Sequence, residues 1–364
     1  MTEPHIPRYQ QVFNELKRQI LHQELAPGTP FPSLEQLSEQ FRTSAITVRR
    51  ALADLVEEGL IYRVRGKGTF VRDGSASPAL FPGGLKRIYI GLPGLKSILV
   101  EERYYSDLLE GIDHYCSRNG LELFCWNYDS KPEFPDGDDV GVVLVPHPLF
   151  PVDRLQRWRT ENRRLVTVHF YYPHLEIPYV IIDNLTGGYL ATQHLLTLGH
   201  KRIGIILTGD SLYDMNQEFS LRLQGYRLAL QLNHVAKDER LVVMMPGEKE
   251  TERMGYEGMH QLLGLEEPPT AVFATSDVKA IGCLQAMEDR GIRVPEQMSL
   301  VGFDDIRLSP FIYPGLTTIN QNTYQMGVRA AELLNERMSE TESSLTKEEI
   351  VPSLVIRGST TPLI

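Results

Sequence analysis

The fold of the N-terminal part of this chain is decided by the stretch Ser44-Ala45-Ile46-Thr47-Val48-Arg49-Arg50-Ala51-Leu52. Val48, Ala51 and Leu52, continued by Leu55, recur at i, i+3, i+4 and i+7, so they form one apolar stripe along a helix. Ser44 is a residue type that caps helices by accepting a hydrogen bond from a free backbone N–H. We therefore predict a helix that begins after Ser44, buries one face and exposes its polar residues.

Segments on both sides extend this helix into a larger unit. Upstream, Pro32-Ser33-Leu34-Glu35-Gln36-Leu37 predicts a short helix with Ser33 as its cap. Downstream, the strand-like stretches Tyr62–Val64 and Thr69–Val71 flank Arg65-Gly66-Lys67-Gly68, which predicts a hairpin with a basic tip. In such an arrangement the second helix enters the major groove of DNA. The predicted DNA contacts are Ser33, Arg42, Ser44, Thr47, Arg49, Arg50, Arg65, Gly66 and Lys67.

At these residues the chain resembles the winged helix-turn-helix domain of the GntR regulators. The resemblance runs from Tyr9-Gln10-Gln11-Val12 through Leu25-Ala26-Pro27-Gly28 to Gly66-Lys67-Gly68-Thr69-Phe70-Val71. The family usually has Arg where this chain has Glu35 and Ala45, so the operator sequence is left open. The resemblance implies that residues 1–73 bind DNA. The alternative is a winged helix that contacts only protein.

The charge of the chain is unevenly distributed. The net charge is −10, but residues 1–73 hold one more basic than acidic residue, so the acidic excess lies in residues 74–364. An acidic body disfavours indiscriminate DNA binding, while local basic residues supply phosphate contacts. The cysteines Cys116, Cys125 and Cys283 lack metal-ligand spacing. With no apolar signal segment or membrane-length run, we expect a cytoplasmic protein without metal or cofactor.

Beyond residue 73 the sequence changes character. Residues 74–86 are rich in Pro, Gly and Ser and predict a linker. In residues 87–364 strands and helices alternate, ending with a helix over Val278–Arg290 and a strand over Ser299–Phe303. Such alternation predicts an α/β fold of parallel sheets covered by helices on both faces. The length exceeds one comfortable core, so we predict two lobes, with a surface loop over Ser339–Lys347.

This second part resembles the effector-binding domain of the LacI/GalR regulators, which is similar to periplasmic sugar-binding proteins. Among the stretches that carry the resemblance are Ile182-Asp183-Asn184, Leu198-Gly199-His200-Lys201-Arg202-Ile203, Arg222-Leu223-Gln224-Gly225-Tyr226 and Ser299-Leu300-Val301-Gly302-Phe303-Asp304-Asp305. The resemblance implies two doubly wound lobes that bind an effector and dimerise. Together with the GntR-type module, it gives the architecture of arabinose-repressor-like regulators.

The resemblance also implies where the effector binds. It places Tyr104 and Tyr105 at the wall of a cleft and His169 at the end of a first-lobe strand, and the remaining contacts are Arg222, Asp304 and Gln321. A guanidinium donates, a carboxylate accepts from hydroxyls, and an aromatic ring covers the apolar face of a sugar. The expected effector is therefore a sugar or sugar derivative. His169, where the family often has Asp, leaves room for an acidic or phosphorylated one.

Several of these residues also have structural interpretations. Arg222 could cap or ion-pair the start of its own helix, and one of the adjacent tyrosines Tyr104 and Tyr105 is expected to be structural. Asp277 is predicted to cap the helix that begins at Val278. Asp183 and Asn184 are expected to fix the junction between the lobes.

The sequence as a whole predicts a ligand-controlled transcription regulator, a repressor that binds a palindromic operator as a homodimer. Two other classes of protein compete with this interpretation. An α/β enzyme is disfavoured because the chain has no Gly-x-Ser-x-Gly, phosphate loop, zinc set or activated cysteine. A transport-type sugar-binding protein is disfavoured by the DNA-binding module and by the missing signal segment.

Overall fold

The computed structural model of the chain describes residues 8–21, 31–43, 47–48, 50–52, 55, 60–64, 68–71, 84–94, 103–147, 150–172, 174–211, 215–247, 250–336 and 347–363. The chain forms two compact units, Met1–Pro82 and Gly83–Ile364. Each unit has its own hydrophobic core. No helix in the described ranges is long and apolar enough to cross a membrane.

The N-terminal unit is a small helical core closed by a hairpin. Helices α1 (Arg8–Leu21) and α2 (Leu34–Gln40) precede helical residues at 47–48, 50–52 and 55. Strands β1 (Ile61–Val64) and β2 (Gly68–Val71) then pair antiparallel, as the sequence predicts. The predicted apolar stripe is confirmed, since its members are all buried with residues of α1, β1 and β2: Val48, Ala51, Leu52 and Leu55.

The cap predicted for α2 is also confirmed. Ser33 Oγ accepts a hydrogen bond from the Gln36 N–H at 3.2 Å, and Gln36 Oε1 accepts one from the Ser33 N–H at 2.8 Å. These reciprocal bonds satisfy two donors that a helix start otherwise leaves unpaired. Ser33 therefore fixes where α2 begins.

The first lobe of the second unit is built on a six-stranded sheet with order β13-β7-β6-β5-β3-β4. All of its neighbouring strands run parallel. The strands are β3 (Arg87–Leu92), β4 (Glu122–Asn127), β5 (Val140–Leu144), β6 (Leu165–Val168), β7 (Tyr179–Ile182) and β13 (Lys347–Ile350). The helices are α3 (Arg103–Asn119), α4 (Val152–Thr160) and α9 (Thr323–Glu336).

The second lobe is built on a four-stranded parallel sheet with order β11-β10-β8-β9. The strands are β8 (Ile203–Thr208), β9 (Val242–Met245), β10 (Ala271–Ala274) and β11 (Ser299–Val301). The helices are α5 (Asn184–Thr197), α6 (Gln217–Leu232), α7 (Glu252–Leu263) and α8 (Asp277–Asp289). Strands β12 (Thr318–Asn320) and β14 (Ser353–Val355) form a separate antiparallel pair. The predicted α/β architecture of parallel sheets is confirmed.

The chain passes between the lobes more often than the alternation suggests. After the second-lobe strands, α9 returns to the first lobe, where Met326, Ala330 and Leu334 are buried in its core. Strand β13 then pairs parallel with β7. Lys347, expected in a surface loop, begins this strand, whereas residues 339–346 lie outside the described part of the chain.

Candidate functional site

The carboxyl ends of the second-lobe strands carry polar side chains. Thr208 ends β8, Glu250 follows β9, Thr275 follows β10 and Asp304 follows β11. The carboxyl ends of parallel strands meet at one edge of a sheet, and ligands of open α/β sheets bind beyond that edge. This edge is the candidate effector site.

Arg222 is buried on α6, and its guanidinium donates hydrogen bonds to α5 and to the residue after β10. Its Nε donates to Asn184 Oδ1 at 2.8 Å, and its Nη1 donates to the Thr275 carbonyl at 2.6 Å. The guanidinium carbon lies 3.7 Å from the centroid of the Phe303 ring. Arg222 thus contacts α5 and the end of β10, and it also lies within electrostatic range of Glu218 in the first turn of its own helix, where the structural alternative expects a partner.

A close helix crossing makes this contact possible. A Cβ atom at Gly188 on α5 would collide with the carbonyl of Arg222, and one at Gly225 on α6 would collide with the carbonyl of Leu185. The two glycines let the backbones of α5 and α6 touch. Asn184, at the start of α5, is thereby brought against Arg222.

Asp304 and Gln321 lie together, as the resemblance implies. The Gln321 amide donates to Asp304 Oδ1, and the Asp304 N–H donates to the Ile319 carbonyl at 2.8 Å. Burial raises the pKa of the Asp304 carboxyl, and Arg222 opposes that rise, so the two groups are within electrostatic range. The φ of Asp304 is 110°, an unfavourable conformation for a residue with a side chain. Such strain is concentrated at functional sites.

Lys279 and Glu250 belong to the same site, although the sequence interpretation did not include them. The Lys279 ammonium is fully buried and donates to the Glu250 carboxylate and, at 2.9 Å, to Thr208 Oγ1. It also lies 4.5 Å from the centroid of the Phe219 ring. Burial lowers the pKa of Lys279, and Glu250 opposes the decrease. The signal that could have identified Lys279 is its position among the apolar residues 278, 280 and 281, because a buried lysine needs a partner.

The first lobe contributes a neutral histidine. His169 follows β6 with a φ of 74°. Burial, together with the Arg222 cation, lowers the pKa of His169 to about 3, so its imidazole is neutral near pH 7. The influence of Arg222 places the two residues, one from each lobe, within electrostatic range. The lobes also touch where the Tyr171 N–H donates to Gln217 Oε1 at 3.5 Å.

The tyrosine pair is only partly described. Tyr105 on α3 packs against the first-lobe core and lies within electrostatic range of Tyr128. The Tyr128 hydroxyl donates to the Val145 carbonyl at 3.0 Å, and burial raises the pKa of that phenol. The side chain of Tyr104 lies outside the described part of the chain. Tyr105 is therefore partly buried against the first-lobe core and lies near Tyr128, which follows β4.

Asp277 is not the helix cap that the sequence predicts. Ser276 caps α8, with its Oγ accepting from the Lys279 N–H at 3.3 Å. Asp277 is the first helical residue and is fully buried. It accepts hydrogen bonds from the Ser309 and Thr318 hydroxyls, both at 2.5 Å, and from the Ile306 N–H at 2.9 Å. These bonds tie down the loop that carries Asp304.

The predicted junction residues have identifiable partners. Asp183 caps α5 by accepting from the Thr186 N–H at 2.9 Å, and its own N–H donates to the Ile350 carbonyl at 3.0 Å. Asp183 and Asn184 both stand where the chain passes from β7 of the first lobe to α5 of the second. In the described residues no cluster of His, Cys, Asp and Glu could hold a metal ion.

The predicted DNA contacts are described in part. Arg42 is exposed in the turn after α2 with a φ of 46°, and Thr47 is half-buried. Arg50 is exposed, and its guanidinium carbon lies 3.9 Å from the centroid of the Tyr9 ring. Five of the predicted contacts lie outside the described residues: Ser44, Arg49, Arg65, Gly66 and Lys67.

Comparisons with known proteins agree with this architecture. Residues 8–71 match the family of bacterial regulatory proteins of the gntR type, and residues 192–360 match the periplasmic binding protein-like domain. The transcriptional repressor PurR of Haemophilus influenzae strain PittEE is 32% identical over 270 residues, covering 71% of this chain and 78% of that protein. The arabinose metabolism transcriptional repressor of Geobacillus stearothermophilus is 27% identical over 374 residues, covering 99% of both chains.

Solved structures show the same fold. A complex of the transcriptional regulator CelR with cellobiose covers 90% of this chain and 100% of its own, with a TM-score of 0.66 and 24% identity. Both sequence relatives are named as transcriptional repressors. This chain therefore belongs to the bacterial transcriptional regulators of the repressor type, with a GntR-type helix-turn-helix joined to a LacI/PurR-type periplasmic-binding-protein-like domain.

Proposed function

We propose that this chain represses transcription as a homodimer bound to operator DNA, and that a sugar-like effector controls its affinity for that DNA. Residues 1–73 bind DNA, residues 74–86 link, and residues 87–364 bind the effector without converting it. The observation that carries the effector site is the meeting of Arg222, Asp304 and Gln321 at the second-lobe strand ends, within electrostatic range of His169 from the first lobe.

The chemistry of the site supports a ligand rich in hydroxyl groups. Arg222 supplies a rigid fork of donors, while Asp304 and Glu250 supply carboxylate oxygens that accept from hydroxyls. Tyr105 supplies an aromatic face for the apolar side of a sugar ring. The names of two similar proteins point the same way, since one represses arabinose metabolism and the other is bound to cellobiose. The proposed effector contacts are Tyr104, Tyr105, His169, Arg222, Asp304 and Gln321.

The DNA contacts are proposed on the exposed side of the recognition helix and on the hairpin tip. Arg50 supports this, because it is exposed on the helix whose opposite face is buried. Tyr9 holds its guanidinium by a cation–π contact. Since the operator is chromosomal in a bacterial repressor, we place the protein in the cytoplasm.

An exposed apolar patch supports the homodimer. Phe311 is 84% exposed and Tyr313 is 96% exposed, and Leu308 and Ile356 are also exposed. The loop that carries Tyr313 is joined to the C-terminal segment by the Gly358 N–H, which donates to the Gly315 carbonyl at 2.8 Å. Patches of this kind mark interaction surfaces, and a second copy offers the same patch about a twofold axis. Two recognition helices would then read two half-sites.

The test is operator titration of the full chain with and without a stabilising sugar. A sugar at about 100 times its dissociation constant should raise the unfolding free energy by about 2.7 kcal/mol. A sugar that loosens operator binding must itself bind more weakly to the DNA-bound protein, because the coupling is reciprocal. If the bound sugar leaves operator affinity unchanged, the regulatory proposal is wrong. If sedimentation shows only a 41.3 kDa monomer with and without operator, the homodimer is wrong.

A further inference from the structure

We infer that the effector carries no anionic group, and that Glu250 is one of the acceptors for its hydroxyl or amino hydrogens. The inference rests on the proposed effector site and narrows its ligand to uncharged or amino-bearing polyhydroxyl compounds. It excludes sugar phosphates and uronates, which the presence of His169 in the sequence leaves open.

The two cations of the site are already engaged by the protein. The Lys279 ammonium is fully buried against the Glu250 carboxylate, Thr208 Oγ1 and the Phe219 ring. Arg222 spends two of its donor groups on Asn184 and Thr275, and the face of its guanidinium covers Phe303. An incoming anion would therefore compete with existing partners for each positive charge.

The acceptors outnumber the cations among the described residues of the site. Three carboxyl groups interact electrostatically with the cations of the site. Glu218 and Asp304 each interact with both Arg222 and Lys279, and Glu250 interacts with Lys279. Glu250 keeps 25% of its side chain exposed, and Lys279 engages one of its two oxygens. Gln321 likewise engages Oδ1 of Asp304. Hydrogen-bond acceptors that face a binding site select a ligand that donates.

A phosphate or carboxylate in this place would be doubly unfavourable. It would leave water for a partly buried position. It would also stand beside the Glu250 carboxylate and would raise further the pKa values of Asp304 and Glu218, which burial and Glu250 already raise. The first lobe does not compensate, because His169 is neutral near pH 7 and adds no positive charge. Repulsion of this kind is an ordinary means of rejecting a wrong ligand.

The inference is tested with the full chain and sets of matched probes. Each set contains a neutral sugar, its amino, uronate and phosphate derivatives, and the sets cover aldopentoses, aldohexoses and disaccharides. Thermal shift identifies binders, and calorimetry measures affinity. We expect a neutral or amino sugar to bind at least about tenfold more tightly than its anionic derivatives, since about 1.4 kcal/mol separates a factor of ten. Tighter binding of an anionic derivative overturns the inference and leaves the sensor proposal standing. If no probe of any set binds, both the inference and the sensor proposal are wrong.

The role of Glu250 is tested with a double variant that replaces the charged side chains of Glu250 and Lys279 by uncharged ones. Glu250→Gln alone would strand the buried Lys279 ammonium, so it is combined with Lys279→Met. We expect the double variant to fold, with circular dichroism like that of the wild type, and to bind the neutral sugar at least about tenfold more weakly. Glu252→Gln, at an exposed neighbouring carboxylate, is the control and should leave affinity unchanged. Wild-type affinity in a folded double variant would overturn the assignment of Glu250. If the double variant does not fold, Lys279→Met is replaced by Lys279→Gln, and the same affinity criterion decides.

Discussion

The two lobes of the effector-binding unit share a parallel α/β fold but carry different chemistry at their strand ends. The second lobe presents Arg222, Lys279 and three carboxyl groups, whereas the first lobe presents His169 and tyrosines. The charged groups of the second lobe are held by protein partners. If the proposed effector site is correct, we expect this preorganised lobe to set ligand specificity and the first lobe to supply neutral cover.

The two lobes are held together by different kinds of interaction. In the first lobe, Trp126 and Trp158 lie 5.6 Å apart between ring centroids within an aromatic cluster that also includes Phe134. In the second lobe, the buried carboxyl group of Asp277 fastens three separate positions by hydrogen bonds. Apolar packing is insensitive to pH, whereas a buried carboxyl group is not. We therefore expect substitutions and changes of pH to affect the stability of the two lobes differently.

The largest expected effect tests what the lobes have in common. Both rely on helix pairs that cross at glycine: a Cβ at Gly188 meets the Arg222 carbonyl, and a Cβ at Gly111 in the first lobe meets the Tyr324 carbonyl. Gly188→Leu and Gly111→Leu should each lower the unfolding free energy by about 3 kcal/mol or more, measured by urea denaturation. Gly264→Ala, at a φ of −82°, is the control and should cost little. A small loss at either crossing would contradict the backbone contact.

The next effect should appear at Arg222 and separates ligand affinity from DNA affinity. Arg222→Ala removes the donors at the centre of the second-lobe site, so effector affinity should fall well over tenfold, corresponding to about 2–5 kcal/mol. Operator affinity without effector should stay at the wild-type value. Arg227→Ala is the matched control on the same helix, where the arginine pairs with the exposed Glu239 at 2.8 Å. If the Arg222 variant keeps the wild-type effector response, the effector binds elsewhere.

Local patterns in the sequence predicted much of this architecture. The stripe from Val48 to Leu55 fixed one face of a helix, and the helix predicted over Val278–Arg290 lies at Asp277–Asp289 in the structure. Helix α9 was missed because the alternation was taken to end at Phe303. Strand β13 was missed because the polar sequence 347–349 is typical of a loop, yet it pairs as an edge strand beside β7.

The site was harder to predict than the fold. Family resemblance named Arg222, Asp304 and Gln321, and the structure brings them together. It did not name Glu250 and Lys279, which are 29 residues apart and meet only when β9 and β10 have folded into one sheet. Asp277 was assigned as a cap because an Asp before an apolar run often is one. The serine one residue earlier took that role and left the carboxyl group for a tertiary network.

A smaller effect should distinguish the lobes by pH. Burial raises the pKa of Asp277 from 3.8 to about 7, so its protonated form stabilises the fold below pH 3.8, and that contribution is lost as the pH rises through about 7. Burial lowers the pKa of His169 from 6.5 to about 3, so its contribution is present above pH 6.5 and lost as the pH falls through about 3.

Urea denaturation from pH 4 to pH 8 measures both slopes. Asp277→Asn should flatten the loss of unfolding free energy between pH 4 and 7, and Asp304 and Glu218, whose pKa values burial also raises, should contribute to the slope that remains. His169→Gln should instead flatten the loss below pH 6.5. If both variants change the same limb of the stability profile, the opposite pH behaviour of the two lobes is wrong.

The smallest effect should come from the aromatic wall of the first lobe. Tyr105→Leu removes a ring that would lie against the apolar face of a sugar, and such a contact contributes about 1 kcal/mol, so effector affinity should fall less than tenfold. Tyr115→Leu is the control, because Tyr115 lies on the same helix and its hydroxyl accepts from Asn335 Nδ2 at 2.9 Å, away from the site. Calorimetry with one neutral sugar compares both variants with Arg222→Ala. If Tyr105→Leu costs as much affinity as Arg222→Ala, the first lobe is an equal partner in recognition, because an aromatic ring would then contribute as much as the charged groups opposite it.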